Sequence, residues 1–171
     1  MAFSTLFPSA AGSATTFNPV GAAQNWDCVN DFAGSDGDTT YVSTFTQNSG
    51  DDLYDLQTLA SIPAGNTITH VIFYYQTRYN GGSAAQITPK IKHAGVVYNG
   101  TTINVTNVYL IYSVSYLTNP LGFPWSLADV NALEVGYSSG ALTINELRVT
   151  RAYVEVHYSK ISPATIMLVS D

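Results

Sequence analysis

Charge is scarce in this sequence. Only 11% of the 171 residues are Asp, Glu, Lys or Arg, against about a quarter in an average soluble domain. The basic residues, Arg78, Lys90, Lys92, Arg148, Arg151 and Lys160, form no cluster able to neutralise several phosphates together, and the net charge is −6. Nucleic acid is therefore not an expected partner. Cysteine is nearly missing as well: Cys28 stands alone, which excludes an internal disulfide framework. No apolar run approaches the roughly 20 residues that cross a bilayer, so no membrane insertion is expected. The opening MAFSTLFPSAAGSATTF lacks a cationic start and is interrupted by Ser, Thr and Pro, so it does not read as a secretory signal. Folding in a reducing cytoplasm is the simplest expectation.

Catalytic motifs are missing too. His70, His93 and His157 are scattered without metal-ligand spacing, and Cys28 in NWDCVND has no flanking signature of a thiol nucleophile. No residue is expected to be catalytic.

What the sequence does have is β-branched and aromatic runs punctuated by turn chemistry. Candidate strands are 39–46, 53–59, 67–78, 85–93, 96–98, 101–105, 108–116, 132–137 and 147–158, separated by SDGD, NSGDD, IPAGN, NGGS, NG and SSG. The spacing predicts an all-β, antiparallel sandwich or barrel. In VTRAYVEVHY, period 2 places Thr150, Ala152, Val154, Val156 and Tyr158 on the core face. THVIFYYQTRY is apolar on both faces through its middle, which suits a central strand covered on both sides or one whose outer face meets another subunit. One stretch, FPWSLADVNALEVGY, breaks the pattern. Ser126 can cap a helix with Asp129 three residues on, and Leu127, Val130 and Leu133 recur at helical spacing, so a short crossover helix near 125–133 is expected to close one end of the sandwich.

Three divisions follow: an extended N-terminal arm over 1–24, the sandwich over 25–158, and a C-terminal arm or added strand over 159–171. The first 24 residues carry no charge and no sustained period, so Phe3, Leu6, Phe7 and Phe17 have surface to cover. Together with Ile166, Met167, Leu168 and Val169 they are expected to contact a neighbouring subunit, the alternative being that each arm docks on the chain's own domain. A surface poor in ions also loses little solvation when a partner covers it.

Two acidic loops invite chemistry. In GSDGD, Asp36 and Asp38 flank a glycine, and Glu155 could join them in an oxygen-rich Ca²⁺ site; the alternative is an ordinary turn, with no cofactor at all. Asp51, Asp52 and Asp55 in SGDDLYDL read as a solvated turn. Tyrosine is in excess, with twelve residues, and Tyr75, Tyr79 and Tyr109 are candidates for an exposed surface that takes sugar rings or a protein.

The order NWDCVND, GSDGDTTYVST, DLYDL, IPAGNTITHVIFYYQTR, LTNPLGFPWSLADVNALEVGY and VTRAYVEVHY resembles small jelly-roll-like structural proteins of tailed bacteriophages and related viruses, over about residues 24–158. That resemblance implies an antiparallel jelly-roll-like β-sandwich and a non-enzymatic, self-assembling virion component, such as a capsid decoration or tail or fibre subunit. Its partners would be copies of itself and other virion proteins, assembled in a host cytoplasm. The alternative reading is a carbohydrate-binding jelly-roll module that meets surface glycans through its tyrosines.

Overall fold

The computed structural model describes residues 2–82, 84–142 and 146–160. Twelve strands lie within them: β1 Ala2–Leu6, β2 Pro8–Ala11, β3 Asn18–Val20, β4 Tyr41–Thr44, β5 Asp52–Leu56, β6 Asn66–Asn80, β7 Ala85–His93, β8 Val96–Asn99, β9 Ile103–Val105, β10 Leu110–Tyr116, β11 Glu134–Leu142 and β12 Glu146–Lys160. A helix, α1, spans Leu127–Asn131. The strands form two antiparallel sheets packed as a sandwich. The first runs β10-β6-β12-β4-β3 with β1 also on β12, and the second runs β2-β5-β11-β7-β8 with β9 also on β7.

The core is the inward set of period-2 residues from both sheets. Val71, Phe73 and Tyr75 of β6 and Ala152, Val154 and Val156 of β12 meet Tyr54 of β5, Ile87 and Ile91 of β7, and Val135 and Tyr137 of β11; all are 1% exposed or less. The expected face of β12 holds from Ala152 to Val156. A bulge between Val149 and Arg151 shifts the register, so that Leu147 and Val149 also point inward. Thr150, the extra residue, turns its hydroxyl to the backbone oxygens of Gly37 (2.8 Å) and Thr40 (3.1 Å) instead of the core.

Of the two alternatives for the extended arm over 1–24, docking on a neighbour or on the chain's own domain, the segment takes the second. β1 pairs with β12 from Ala2↔Tyr158 to Leu6↔Val154, β2 pairs with β5, and β3 pairs with β4. Leu6, Phe7 and Phe17 are each 4% exposed, within their own domain. The physical reason is edge closure: an uncharged segment satisfies its backbone and its apolar side chains by extending the chain's own sheets. Phe3 alone of that set stays half in solvent, tilted against His157 at 5.2 Å. Ile166, Met167, Leu168 and Val169 lie outside the described residues.

The helix forms where the sequence places it. Ser126 caps it: the Asp129 amide donates to the Ser126 hydroxyl (3.1 Å), and the Ser126 amide donates back to the Asp129 carboxylate (2.9 Å). Trp125, Val130 and Leu133 are buried, and the Trp125 indole donates to the Tyr116 carbonyl at 2.9 Å. α1 thus carries the chain from β10 in the first sheet to β11 in the second.

Candidate functional site

Along β7 the residues alternate between the core and the outer face of the second sheet: Ala85, Ile87, Ile91 and His93 are buried, and Gln86, Thr88, Lys90 and Lys92 are half-buried on the far side. Ser138 of β11 joins them from the adjacent strand, opposite Thr88. Gln86, Thr88, Lys90 and Ser138 floor an open cleft of about 550 Å³.

Two loops wall the cleft. On one side, Gln47, Asn48 and Ser49 follow β4; the Asn48 amide donates to the Gly140 carbonyl at 3.0 Å and fixes this loop to the irregular end of β11. On the other, Asn99, Gly100 and Thr102 lie where β7 changes partner from β8 to β9. The change falls at Pro89, which has no N–H for a ladder, and its carbonyl accepts from the Gly100 amide at 2.7 Å. A side chain at Gly140 would meet the Gln86 Cβ at 2.8 Å, so glycine there keeps the floor accessible.

The lining is almost wholly amide and hydroxyl. Thr88 and Thr102 share a hydrogen bond at 2.7 Å, and Gln86 donates to Asn104 at 3.1 Å. The one charged side chain lining the cleft, Lys90, donates to Asn99 at 2.9 Å and pairs with Asp51 at 2.8 Å, so its charge is compensated locally. Beside it Lys92 pairs with Glu134 at 2.6 Å. No carboxylate, imidazole, thiol or aromatic ring lines the cleft among the described residues. It therefore has many groups that both give and accept hydrogen bonds, and no acid–base pair.

The residues singled out from sequence fall elsewhere. Asp36 accepts from the Thr40 amide and hydroxyl, and Asp38 from Arg78, Arg148 and Tyr109. Glu155 is on the outer face of the first sheet, accepting from Tyr74 (3.3 Å) and His157 (2.9 Å), in register with Thr5 rather than the 36–38 loop. The three carboxylates are not brought together, and two guanidinium groups already compensate Asp38 where a dication would have to sit. Among the described residues no group of three His, Cys, Asp or Glu is arranged to hold a metal ion.

Nor do Tyr75, Tyr79 and Tyr109 form one surface. Tyr75 is in the core at 1% exposure, Tyr79 packs partly against that core, and Tyr109 donates to Asp38 at 2.8 Å beneath Arg78. The outward tyrosine of this strand is Tyr74, stacked on Tyr153 at 4.8 Å.

Asp52 is not a solvated turn residue but fully buried. It accepts from Asn25 (2.8 Å), the Thr16 amide (3.0 Å) and the Tyr54 hydroxyl, which in turn accepts from Tyr137 at 2.7 Å. Burial pushes its carboxyl up, against the pull of these donors.

No protein-family model and no curated protein sequence matches the chain. Among solved structures it is similar to the CBM22-1 xylan-binding domain of Paenibacillus barcinonensis Xyn10C, at 8% identity and a TM-score of 0.48 over 89% of this chain and 86% of that one. It is similar to the C-terminal family 22 carbohydrate binding module of Clostridium thermocellum Xyn10B, at 15% identity and 0.46 over 86% and 84%. A carbohydrate binding module of family 29 aligns at 10% identity and 0.43 over 97% of each chain. The expectation of a self-assembling virion component is corrected. The N-terminal residues that this reading offered to a neighbouring subunit extend the chain's own sheets instead, and these solved structures carry the names of carbohydrate-binding modules, with no capsid or tail protein among them.

Proposed function

We propose that the chain is a non-catalytic carbohydrate-binding module whose ligand lies in the cleft on the outer face of the second sheet. The observation that carries this reading is the chemistry of that cleft. Pockets for drug-like ligands are mainly apolar with a few polar groups, within a range of about 300–1,000 Å³. This one has a similar volume, yet Gln86, Thr88, Asn99, Thr102 and Ser138 present amides and hydroxyls throughout. Such groups match a ligand whose own surface is a dense array of hydroxyls, each both donor and acceptor. The Lys90–Asp51 pair leaves the site without a net charge to attract an ion. Glycoside hydrolysis needs two carboxyl groups flanking the bond, and the lining supplies none.

Affinity electrophoresis through gels containing soluble neutral polysaccharides, xylan among them, tests this reading. Retardation by at least one polysaccharide is expected, and it should be lost in the Gln86→Ala/Thr88→Ala double variant with an unchanged melting temperature. Migration unaffected by every polysaccharide would contradict it.

A further inference from the structure

Exposed apolar side chains are concentrated at one place. Val108, Leu110, Ile111, Leu117, Leu121 and Phe123, all between 44% and 73% exposed, lie on and around β10. β10 is the edge of the first sheet and pairs only with β6. Among the described residues no backbone hydrogen bond outside that ladder engages residues 110–115, so alternate N–H and C=O groups of the strand face outward unpaired.

Natural sheets protect such edges with lysines, prolines or inward charges. Here the protection is missing: from position 94 to 128 there is no Asp, Glu, Lys, Arg or His, although the chain as a whole carries a charge of −6. The apolar side chains beyond the strand are also held in place. The Asn119 side chain, 6% exposed, accepts from the amides of Leu121 (3.1 Å) and Phe123 (3.0 Å), and the Asn119 amide donates to the Phe123 carbonyl at 2.8 Å.

We infer that the free edge of β10 is a two-fold dimer interface, at which β10 of a second copy of this chain adds antiparallel and continues the first sheet across the axis. Three features select a second copy as the occupant. In an isologous contact the segment meets itself, so any charged residue near the axis would face its like; a segment without charge has none to oppose. Antiparallel addition sets the start of one strand against the end of the other. Val108 and Leu110 would then meet Leu117, Leu121 and Phe123 of the second copy, covering at both ends the side chains that the lone chain leaves in water. A closed dimer also pairs the β10 edge of each copy with that of the other, so growth through this edge stops at two. The cleft, on the other sheet, stays open, and this inference does not rest on the glycan reading.

Sedimentation equilibrium between about 1 µM and about 1 mM, the span over which modest contacts associate, should give a mass rising from 18.4 kDa toward twice that value. Deuterium uptake over residues 110–116 should fall as the protein is concentrated. Ile111→Lys, on the outer face and 53% exposed, should hold the protein at the monomer mass and abolish the concentration dependence of exchange. Ser113→Lys, also exposed, should do the same and serves if the first variant fails to fold. A monomer mass at every concentration would overturn the inference, as would a dimer that survives either folded variant.

Discussion

Ser49 and Ser139 exchange hydrogen bonds: the Ser49 amide donates to the Ser139 hydroxyl at 2.9 Å, and the Ser139 amide donates to the Ser49 hydroxyl at 3.0 Å. The Ser139 hydroxyl then donates to the Thr46 carbonyl at 2.6 Å. These bonds hold the 47–49 loop to β11 and so set one wall of the cleft. Ser139→Ala leaves the Ser49 amide and the Thr46 carbonyl without these partners at a site only 3% exposed, which costs about 1–3 kcal/mol. Calorimetry should show a lower melting temperature, and polysaccharide retardation should weaken even at temperatures where the variant is fully folded.

The buried Asp52 gives a pH-dependent signature. Burial raises its pKa above the unfolded value of about 3.9. Its contribution to stability is therefore complete below that value and is lost as pH rises through the folded pKa. Asp52→Asn removes this component, so urea midpoints of the native protein should fall relative to those of the variant as pH rises from about 4 through the folded pKa. Asp52→Leu, which leaves Asn25, Thr16 and Tyr54 without their acceptor, should cost about 3 kcal/mol or more.

The helix cap behaves with the opposite sign. Burial alone would raise the Asp129 carboxyl, but the Ser126 hydroxyl, His93 and the Ser126 amide together hold it at about 2. Its stabilisation is complete above the unfolded value and is lost as pH falls through about 2. Ser126→Ala should cost about 1 kcal/mol at neutral pH, measured by chemical denaturation.

The fold was largely legible because period-2 alternation and turn chemistry are local. β7 and the core half of β12 show it, as does the Ser126–Asp129 box. The phase of β6 was not legible: a strand apolar on both faces gives no cue, and Tyr75, expected outside, is inside while Tyr74 is outside. The bulge at Val149 was likewise hidden, since its cause is the loop that receives Thr150. Half of the cleft was readable in AQITPKIKH, whose alternate residues are polar. Its walls were not, because the 47–49 and 99–102 loops are brought to β7 only by sheet topology.

The Lys90–Asp51 pair should tune charge selection. In Asp51→Asn the Lys90 ammonium loses its counter-charge at 2.8 Å, and a partly exposed pair of this kind is worth about 0.2–1 kcal/mol. Stability should change little, while an acidic polysaccharide that does not retard the native protein should begin to retard the variant on electrophoresis at low salt.

The most direct measurement is a chemical-shift titration of ¹⁵N-labelled protein with a short oligosaccharide derived from the polysaccharide that retards it most. The carbohydrate-binding account predicts shifts concentrated at the amides of Gln86, Thr88, Asn99, Gly100 and Ser138. Shifts confined to the opposite sheet around Tyr74 and Tyr153, or none at saturating ligand, would contradict it.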